Sequence, residues 1–439
     1  FLSPIPSYIK TGAKYMTEDR FRTEHSDQYN FVGPKTALAN TLETGYSYDA
    51  AGRHYPIFYL DTSKVDALRI SNPTYFTTDP QLKLRNDLLN DQQAQERVLA
   101  GYFMGGADLG RLSILAGIRV EKTNVSGTSA LQDAQAAVGI VDPTARTMAQ
   151  YGRRTTVSRD YMNVLPGIHF KYGLGQSTQM RASYSASFGR PSFGSIYPAT
   201  NINYTAERIT QNNPALKPQE ADNFDITLEH YFEPVGLISA GVFLKEISNF
   251  LYSSIFPIAS GNDNGFGGDY AGWTLATQAN GGFGRVRGFE LNYSQQLSFL
   301  PGALRGFGIF ANYTYLETFG TYGRLSGGAT GDLAQFTPRV LNGGLSYSRR
   351  KFSGRIYANC IGRYLEGWNA NPLQLEYTLR RTIADLNLTY GLSRALTVTL
   401  DVNNIFNSKF RRVAGPFDYR VQTRESNATR ITLGISGRH

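Results

Sequence analysis

Apolar and polar residues alternate with period two along most of this chain. Over 222–232, Phe224, Ile226, Leu228 and Phe232 fall on one face, with Asn223, Asp225, Thr227 and Glu229 on the other. Residues i, i+2 and i+4 share one face of a strand, so the stretch reads as a half-buried strand and not as a helix. The pattern recurs. Leu112, Ile114, Ala116, Ile118 and Val120 alternate with Arg119 and Glu121 among their neighbours. Met180, Ala182, Tyr184, Ala186 and Phe188 alternate with Arg181 and three serines, and Phe289, Leu291 and Tyr293 with Glu290 and Asn292. The same alternation runs through 396–403 and 431–436. Helical signals are sparse. Only 82–94, which lacks Pro and Gly, is expected to hold a helical turn or two inside a loop.

The connections between these strands alternate in length. Tight turns are expected near 108–110, 173–176, 233–236, 348–351 and 392–395. Long connections separate them, roughly 23–94, 124–159, 189–220, 248–283, 318–337, 366–377 and 404–427. Short turns at one end and long loops at the other are the layout of an outer-membrane barrel. The expected fold is therefore all-β, a transmembrane antiparallel barrel, with about fourteen strands in this chain. A soluble sandwich or propeller also alternates apolar and polar residues. Here, however, the polar faces are mostly Ser, Thr, Asn and Gly, which suit an enclosed, hydrated lumen. Tyr161, Phe170, Tyr172, Tyr313, Tyr315 and Tyr390 near strand ends are expected to form the interfacial girdle.

Composition sharpens this picture. Of 439 residues only 18% are charged, against roughly 25% in an ordinary soluble domain. Aromatics reach 13%, with 28 Tyr and 26 Phe, too many for a disordered chain. A single cysteine, Cys360, excludes a disulfide scaffold and a Cys-based zinc module. No stretch approaches the roughly 20 apolar residues of a membrane helix. The net charge of +9 is spread over turns and loops without a continuous stripe, which argues against nucleic acid. The five histidines are scattered and no catalytic constellation is found, so neither an enzyme nor a cofactor is expected. His169 reads as a hydrogen-bonded interior side chain and His230 as an interfacial one. The loop 261–269 reads as a tight turn, because only Asp263 and Asp269 carry charge and calcium needs about 6–8 oxygens. No metal is expected.

Ligand capture is the more promising chemistry. The long loops carry Tyr197, Tyr204, Phe266, Tyr270, Trp273, Tyr322 and Trp368, whose faces could stack on sugar rings or cap apolar ligands, with Arg412 beside them. The plainer reading of each ring is packing against its neighbours. Arg119, Glu121, Arg181, Asp225, Glu229 and Glu290 alternate onto the lumen wall, where paired charges are expected to contact one another or a plug. Arg411, Arg412, Arg420 and Arg424 make the last long loop basic. They suit an anionic substrate or, the preferred reading, the phosphates of lipopolysaccharide.

Several of these runs resemble TonB-dependent outer-membrane receptors. They are Asn213-Pro214-Ala215-Leu216-Lys217-Pro218-Gln219-Glu220, then Asn223-Phe224-Asp225, Glu229-His230-Tyr231-Phe232 and Gly241-Val242-Phe243-Leu244-Lys245. Leu115 to Glu121, Arg181 to Ser185 with Arg190-Pro191-Ser192-Phe193, Arg287 to Leu291 and Val402 to Asn407 match as well. The resemblance spans nearly the whole chain and leans toward the receptors of carbohydrate-scavenging Gram-negative bacteria. It implies a plugged barrel of about twenty-two strands. It further implies energy-coupled uptake of a scarce nutrient such as an iron chelate or an oligosaccharide, driven by the TonB energy-transducing complex. Against that pattern, residues 1–439 are expected to be the C-terminal portion of one barrel, with plug and first strands absent from this chain. The ending Gly437-Arg438-His439 departs from the family's usual terminal aromatic residue. A passive porin or structural barrel without energy coupling is the alternative.

Overall fold

The computed structural model describes residues 5–25, 27–50, 53–133, 135–233, 235–323, 328–369 and 371–437. Pro234 of the expected turn at 233–236, both chain ends, and parts of the loops after 321 and 367 therefore lie outside the described residues. Fourteen strands form one antiparallel sheet in which each pairs with the next in the chain. They are β1 (Ser7–Arg22), β2 (Gln92–Leu109), β3 (Leu112–Ala130), β4 (Arg154–Gly173), β5 (Thr178–Gly189), β6 (Gln219–Phe232) and β7 (Gly236–Ser248). There follow β8 (Phe283–Gln296), β9 (Phe307–Thr321), β10 (Arg339–Arg349), β11 (Phe352–Ile361), β12 (Arg381–Gly391), β13 (Leu396–Asn403) and β14 (Arg430–Gly437). The two-residue strand Thr330–Gly331 pairs off this path with β9, making fifteen. The expected meander of about fourteen strands is thus the observed one.

Two neighbouring rungs show why the sheet stands as it does. Gln179, Glu229, Ser239, Asn292, Asn312, Asn342 and Asn359 are successive cross-strand partners from β5 to β11. One residue away, Met180, Leu228, Ala240, Leu291, Tyr313, Leu341 and Cys360 form the adjacent rung. The first rung is polar and its amides interlink, as Asn292 Nδ2 donates to Ser239 Oγ at 3.2 Å and Asn359 Nδ2 to Asn342 Oδ1 at 2.5 Å. The second is apolar, with Leu228, Leu291 and Leu341 exposed on the outer face. A slip of one residue would exchange the two sets, so the register is strongly specified. Lipid demands apolar groups outside and leaves backbone polar groups only each other, which a sheet satisfies strand by strand.

Outer-face aromatics cluster near both strand ends. Phe307 and Tyr347 lie 4.7 Å apart by ring centroids near the short turns, and Phe289 and Tyr315 lie 5.5 Å apart nearer the long loops. Tyr161 is a correction to the expected girdle. It pairs with the fully buried Thr123 on the inner face and lies beside Arg190. Its odd number groups it with Asn163 and His169, the inward set.

The long connections hold more structure than their composition suggested. Helices span Thr62–Ser71, Pro80–Asn90 and Pro143–Tyr151, capped by Asp61, Asp79 and Asp142, whose carboxylates accept from backbone N–H groups in the first turn. Asp79-Pro80 and Asp142-Pro143 place proline at N1, where the missing N–H costs nothing. The expected turn within 82–94 is therefore a helix that ends at Asn90, and Gln92–Ala94 already belongs to β2. The connections 189–220 and 248–283 pair with each other in a four-stranded sheet of Thr200–Asn203, Arg208–Gln211, Thr274–Asn280 and Leu251–Pro257. Its middle pair is parallel, so no local pattern could reveal it.

Candidate functional site: an aromatic cavity at the outer end

The segment after β5 is anchored to the inner wall. Arg190 ion-pairs with Glu121 and lies 3.4 Å from Glu96, both buried, and Arg119 contacts the same Glu121 at 2.5 Å. Burying two carboxylates is costly unless cations neutralise them, and here two arginines do so. Arg20 stacks over Phe193 at 4.9 Å. At Gly127 a Cβ would sit 3.0 Å from the Ile196 carbonyl oxygen, so a side chain there would press on this close crossing. Tyr197 follows directly and is only 8% exposed. It is a packing residue and not an open capture group, because the anchored segment presses it onto the wall.

A second segment leaves β7 through Asn249, whose φ of 54° turns the chain sharply. It carries Phe250 and Tyr252 against Tyr322, which is 1% exposed. Trp368 stacks on Tyr322 with centroids 3.8 Å apart and planes 13° apart, and meets Tyr252 edge-on. The Tyr322 hydroxyl donates to the Asp332 carbonyl oxygen, and burial pushes its pKa above the ordinary tyrosine value. At Gly281 any side chain would collide with the Phe250 ring, at 2.3 Å from the Cβ position.

These rings line a cavity of about 520 Å³ together with Gln219, Gln278, Gln335, Gln374 and Asn369. Gln278 and Gln219 already accept hydrogen bonds, from Ser195 and from the Leu251 amide. Among the described residues the side-chain amides of Gln335 and Gln374 have no partner, so they are available to a ligand. Among the described residues, Glu366 and Glu376 supply the only charges of the lining. Glu366 is held by Thr378 at 2.9 Å and by Arg412 at 3.3 Å. Arg412 is thus occupied with a carboxylate and the Phe410 ring, and does not line this cavity.

The remaining loop aromatics form a separate group. Tyr204, Phe266, Tyr270 and Trp273 cluster at the tip of the four-stranded sheet, with Tyr204 and Trp273 5.5 Å and Tyr270 and Trp273 4.9 Å apart. Tyr204 is 62% exposed. The Tyr270 hydroxyl is pushed up to about 12 by its hydrogen bond with Tyr204, and burial adds to the shift. In the loop 261–269 Asn264 closes the turn on itself, its amide reaching the Ala259 and Asp269 carbonyls and its oxygen accepting from Phe266 and Gly268. Among the described residues no group of three His, Cys, Asp or Glu could hold a metal.

On the wall, Arg181 pairs with Glu229 at 3.0 Å, and Gln179 and the Tyr231 hydroxyl also reach that carboxylate. Asp225 and Glu290 stand on the same inner face without such a partner in this chain. Among the described residues no cation lies within ion-pair distance of either, because their register partners are Ser183, Phe243, Gly241 and Thr314. The sequence reading missed the glutamines of the cavity, since amides scattered over three loops and one strand end leave no local signal.

Residues 5–405 match the family model described as TonB dependent receptor-like, beta-barrel. The chain belongs to the TonB-dependent receptors. This is a non-enzymatic family of outer-membrane barrels. No curated protein sequence matches the chain. Among solved structures it is similar to the ferric-catecholate import receptor Fiu from E. coli K12, with TM-score 0.59 and 19% identity, over 99% of this chain and 52% of that one. It is likewise similar to the copper transporter OprC, with TM-score 0.56 and 14% identity, over 98% of this chain and 54% of that one. The ferric citrate transporter FecA matches with TM-score 0.56 and 14% identity over 100% and 52%. At such identities the likeness speaks to the fold, and the chain spans about half the length of these receptors.

Proposed function

We propose that this TonB-dependent receptor barrel takes a scarce nutrient across the outer membrane, energised by the TonB complex through a plug domain carried outside residues 1–439. The observation that supports this is the aromatic cavity, which the outer loops build on the inner side of the sheet above the polar rungs. In this reading the present chain is the C-terminal portion of the barrel. Its edges, β1 and β14, pair with further strands.

The similar receptors of known structure are named for ferric catecholate, copper and ferric citrate. The cavity here has different chemistry. Aromatic faces, free amides and two carboxylates favour a hydroxyl-rich ligand that is uncharged or cationic, such as an oligosaccharide, over an anionic iron chelate. Trp368 is the stacking platform, Gln335 and Gln374 give direction, and the Tyr204–Trp273 group at the loop tip is the first contact. Asp225 and Glu290, unpaired on the wall, face the plug.

The test is uptake. A strain lacking the gene should lose growth on one class of oligosaccharide as sole carbon source at limiting concentration, and a strain lacking the energy-transducing complex should lose it equally. Growth that depends on the barrel but not on that complex would establish the passive-porin alternative. Loss confined to ferric chelates would overturn the substrate class.

A further inference from the structure

The wall has a gap in its backbone pairing between β4 and β5. β4 pairs with β3 from Arg154 to Tyr172, but with β5 only from Gly167 to Gly173. The amide of Gly173 donates to the Arg111 carbonyl oxygen, and that of Leu131 to the Arg153 carbonyl oxygen. Odd-numbered residues of β4 therefore bond to β3, and even-numbered ones point away from it toward β5. Pro166 is even and has no N–H to give, which ends the β5 ladder and leaves the β3 ladder intact. Beyond it the amides of Thr156, Ser158, Asp160, Met162 and Val164 point into the gap. None has a backbone partner among the described residues, and all five residues are exposed.

Neighbouring chain does not close the gap. The segment 213–220 faces it through side chains alone, with Arg159 Nε donating to the Pro214 carbonyl oxygen at 2.8 Å and the Asn163 amide to Glu220 at 2.7 Å. Pro214 and Pro218 deprive that segment of donors, so it cannot join β4 as a strand. A cavity of about 240 Å³ remains between the two, lined by Asp160, Asn163, Lys217 and Glu220 among others. Asn163 is only 3% exposed, yet its side-chain oxygen has no partner among the described residues. A buried acceptor left open costs free energy that an entering donor recovers.

What fits such an edge is another extended backbone. From Arg154 to Val164 it runs roughly 35 Å, enough for a strand of about ten residues. Main-chain hydrogen bonds would supply affinity, and the cavity would take one side chain that ends in a donor. The outer face of β4 is apolar at Val164 and Met162 and polar at Asp160, Ser158, Thr156 and Arg154. The edge therefore starts at the rim of the lipid-facing band and runs out beyond it. Its inner side is covered, because the segment after β5 crosses β3 at Gly127, the register partner of Val157. A strand reaches it from the cell exterior and not from the lumen.

We infer that the outer half of β4 is a strand-addition site for an extended, proline-free segment of a protein partner at the cell surface. The inference rests on strand pairing and stands apart from the proposed transport substrate.

The test uses the full receptor in mild detergent and, as probe, a fluorescent peptide of about ten alternating Thr and Val residues. It should bind the intact receptor and protect the amides of Thr156, Ser158 and Asp160 from hydrogen exchange, whereas those of Thr155, Val157 and Arg159 are already protected by β3. The same peptide N-methylated at every residue should bind about tenfold more weakly. Ser158→Pro removes one edge donor and no bond to β3, and should weaken binding about tenfold while resistance to SDS is unchanged. Should that variant fail to fold, the N-methylated peptide on the intact receptor still decides. Absence of binding, equal binding of the N-methylated peptide, or protection confined to other strands overturns the site. Entry of the peptide into the periplasm of intact cells overturns the docking role in favour of a transported peptide.

Discussion

The two cavities at the outer end share Leu333 and Phe336 in their linings, yet their chemistry is opposite. The inner one offers rings, amides and two carboxylates. The other, a cleft of about 1420 Å³ lined from both faces of the wall, offers seven cationic side chains against three carboxylates. The same loops build both, since Glu366 faces the first while Leu365, its neighbour on the short strand Tyr364–Gly367, faces the second. Strand alternation therefore does above the membrane what it does within it, sending neighbouring residues to different partners.

The comparison can be broken most severely behind the shared residues, where Tyr322 packs in one cluster with Leu333 and Phe336. Tyr322→Ala removes a fully buried ring, and loss of such a side chain costs about 3–5 kcal/mol. The cavities should merge and the outer loops should become protease-sensitive within minutes, while the barrel itself still resists SDS until heated. Loss of that resistance would show that the loops and barrel fold as one unit.

The next effect contrasts the two faces directly. Leu291→Arg places a charge on the outer rung and should destabilise the barrel by about 2–4 kcal/mol if it lies at mid-membrane. Asn292→Arg, one residue along, faces the polar rung and should cost less than half as much in urea unfolding from detergent. Equal costs would contradict the assignment of faces.

A smaller effect probes the inner cavity. Trp368→Ala removes one stacking surface, worth about 0.5–1.5 kcal/mol beyond area burial, so uptake at limiting nutrient should fall roughly three- to tenfold. Resistance of the barrel to SDS should stay unchanged, whereas a parallel loss of it would make Trp368 a structural residue and not a stacking one.

The smallest effect lies at the loop tip. Because the Tyr270 value is raised, the fold favours the neutral hydroxyl. That contribution is complete below pH 10 and disappears as the pH rises through about 12. Ultraviolet titration should show one tyrosine ionising near 12, and Tyr204→Phe should bring it back toward 10. An unchanged titration would mean that the Tyr204 hydroxyl does not hold it.

Much of the wall was legible from residues alone. The alternation of Leu228 with Glu229 or Leu291 with Asn292 names a face for each residue, and short turns against long loops name the ends. Other features were not. Tyr322 and Tyr204 are both loop tyrosines in sequence, yet one is sealed beneath Trp368 and the other is 62% exposed. Arg411 and Arg412 are neighbours, yet one lines the basic cleft and the other is spent on Glu366. Gln219 and Gln374, far apart in the chain, meet in one lining.

By itself the sequence determined the strands, their register faces, the outer-membrane barrel and the family, because lipid and a hydrated lumen impose a period-two code that is local. Only the tertiary structure decided where the sites are. The four-stranded loop sheet with its parallel pair, the Tyr322–Trp368 stack and the gathering of unpaired arginines all join residues distant in the chain. Their energies come from long-range packing and charge, which no window along the sequence contains.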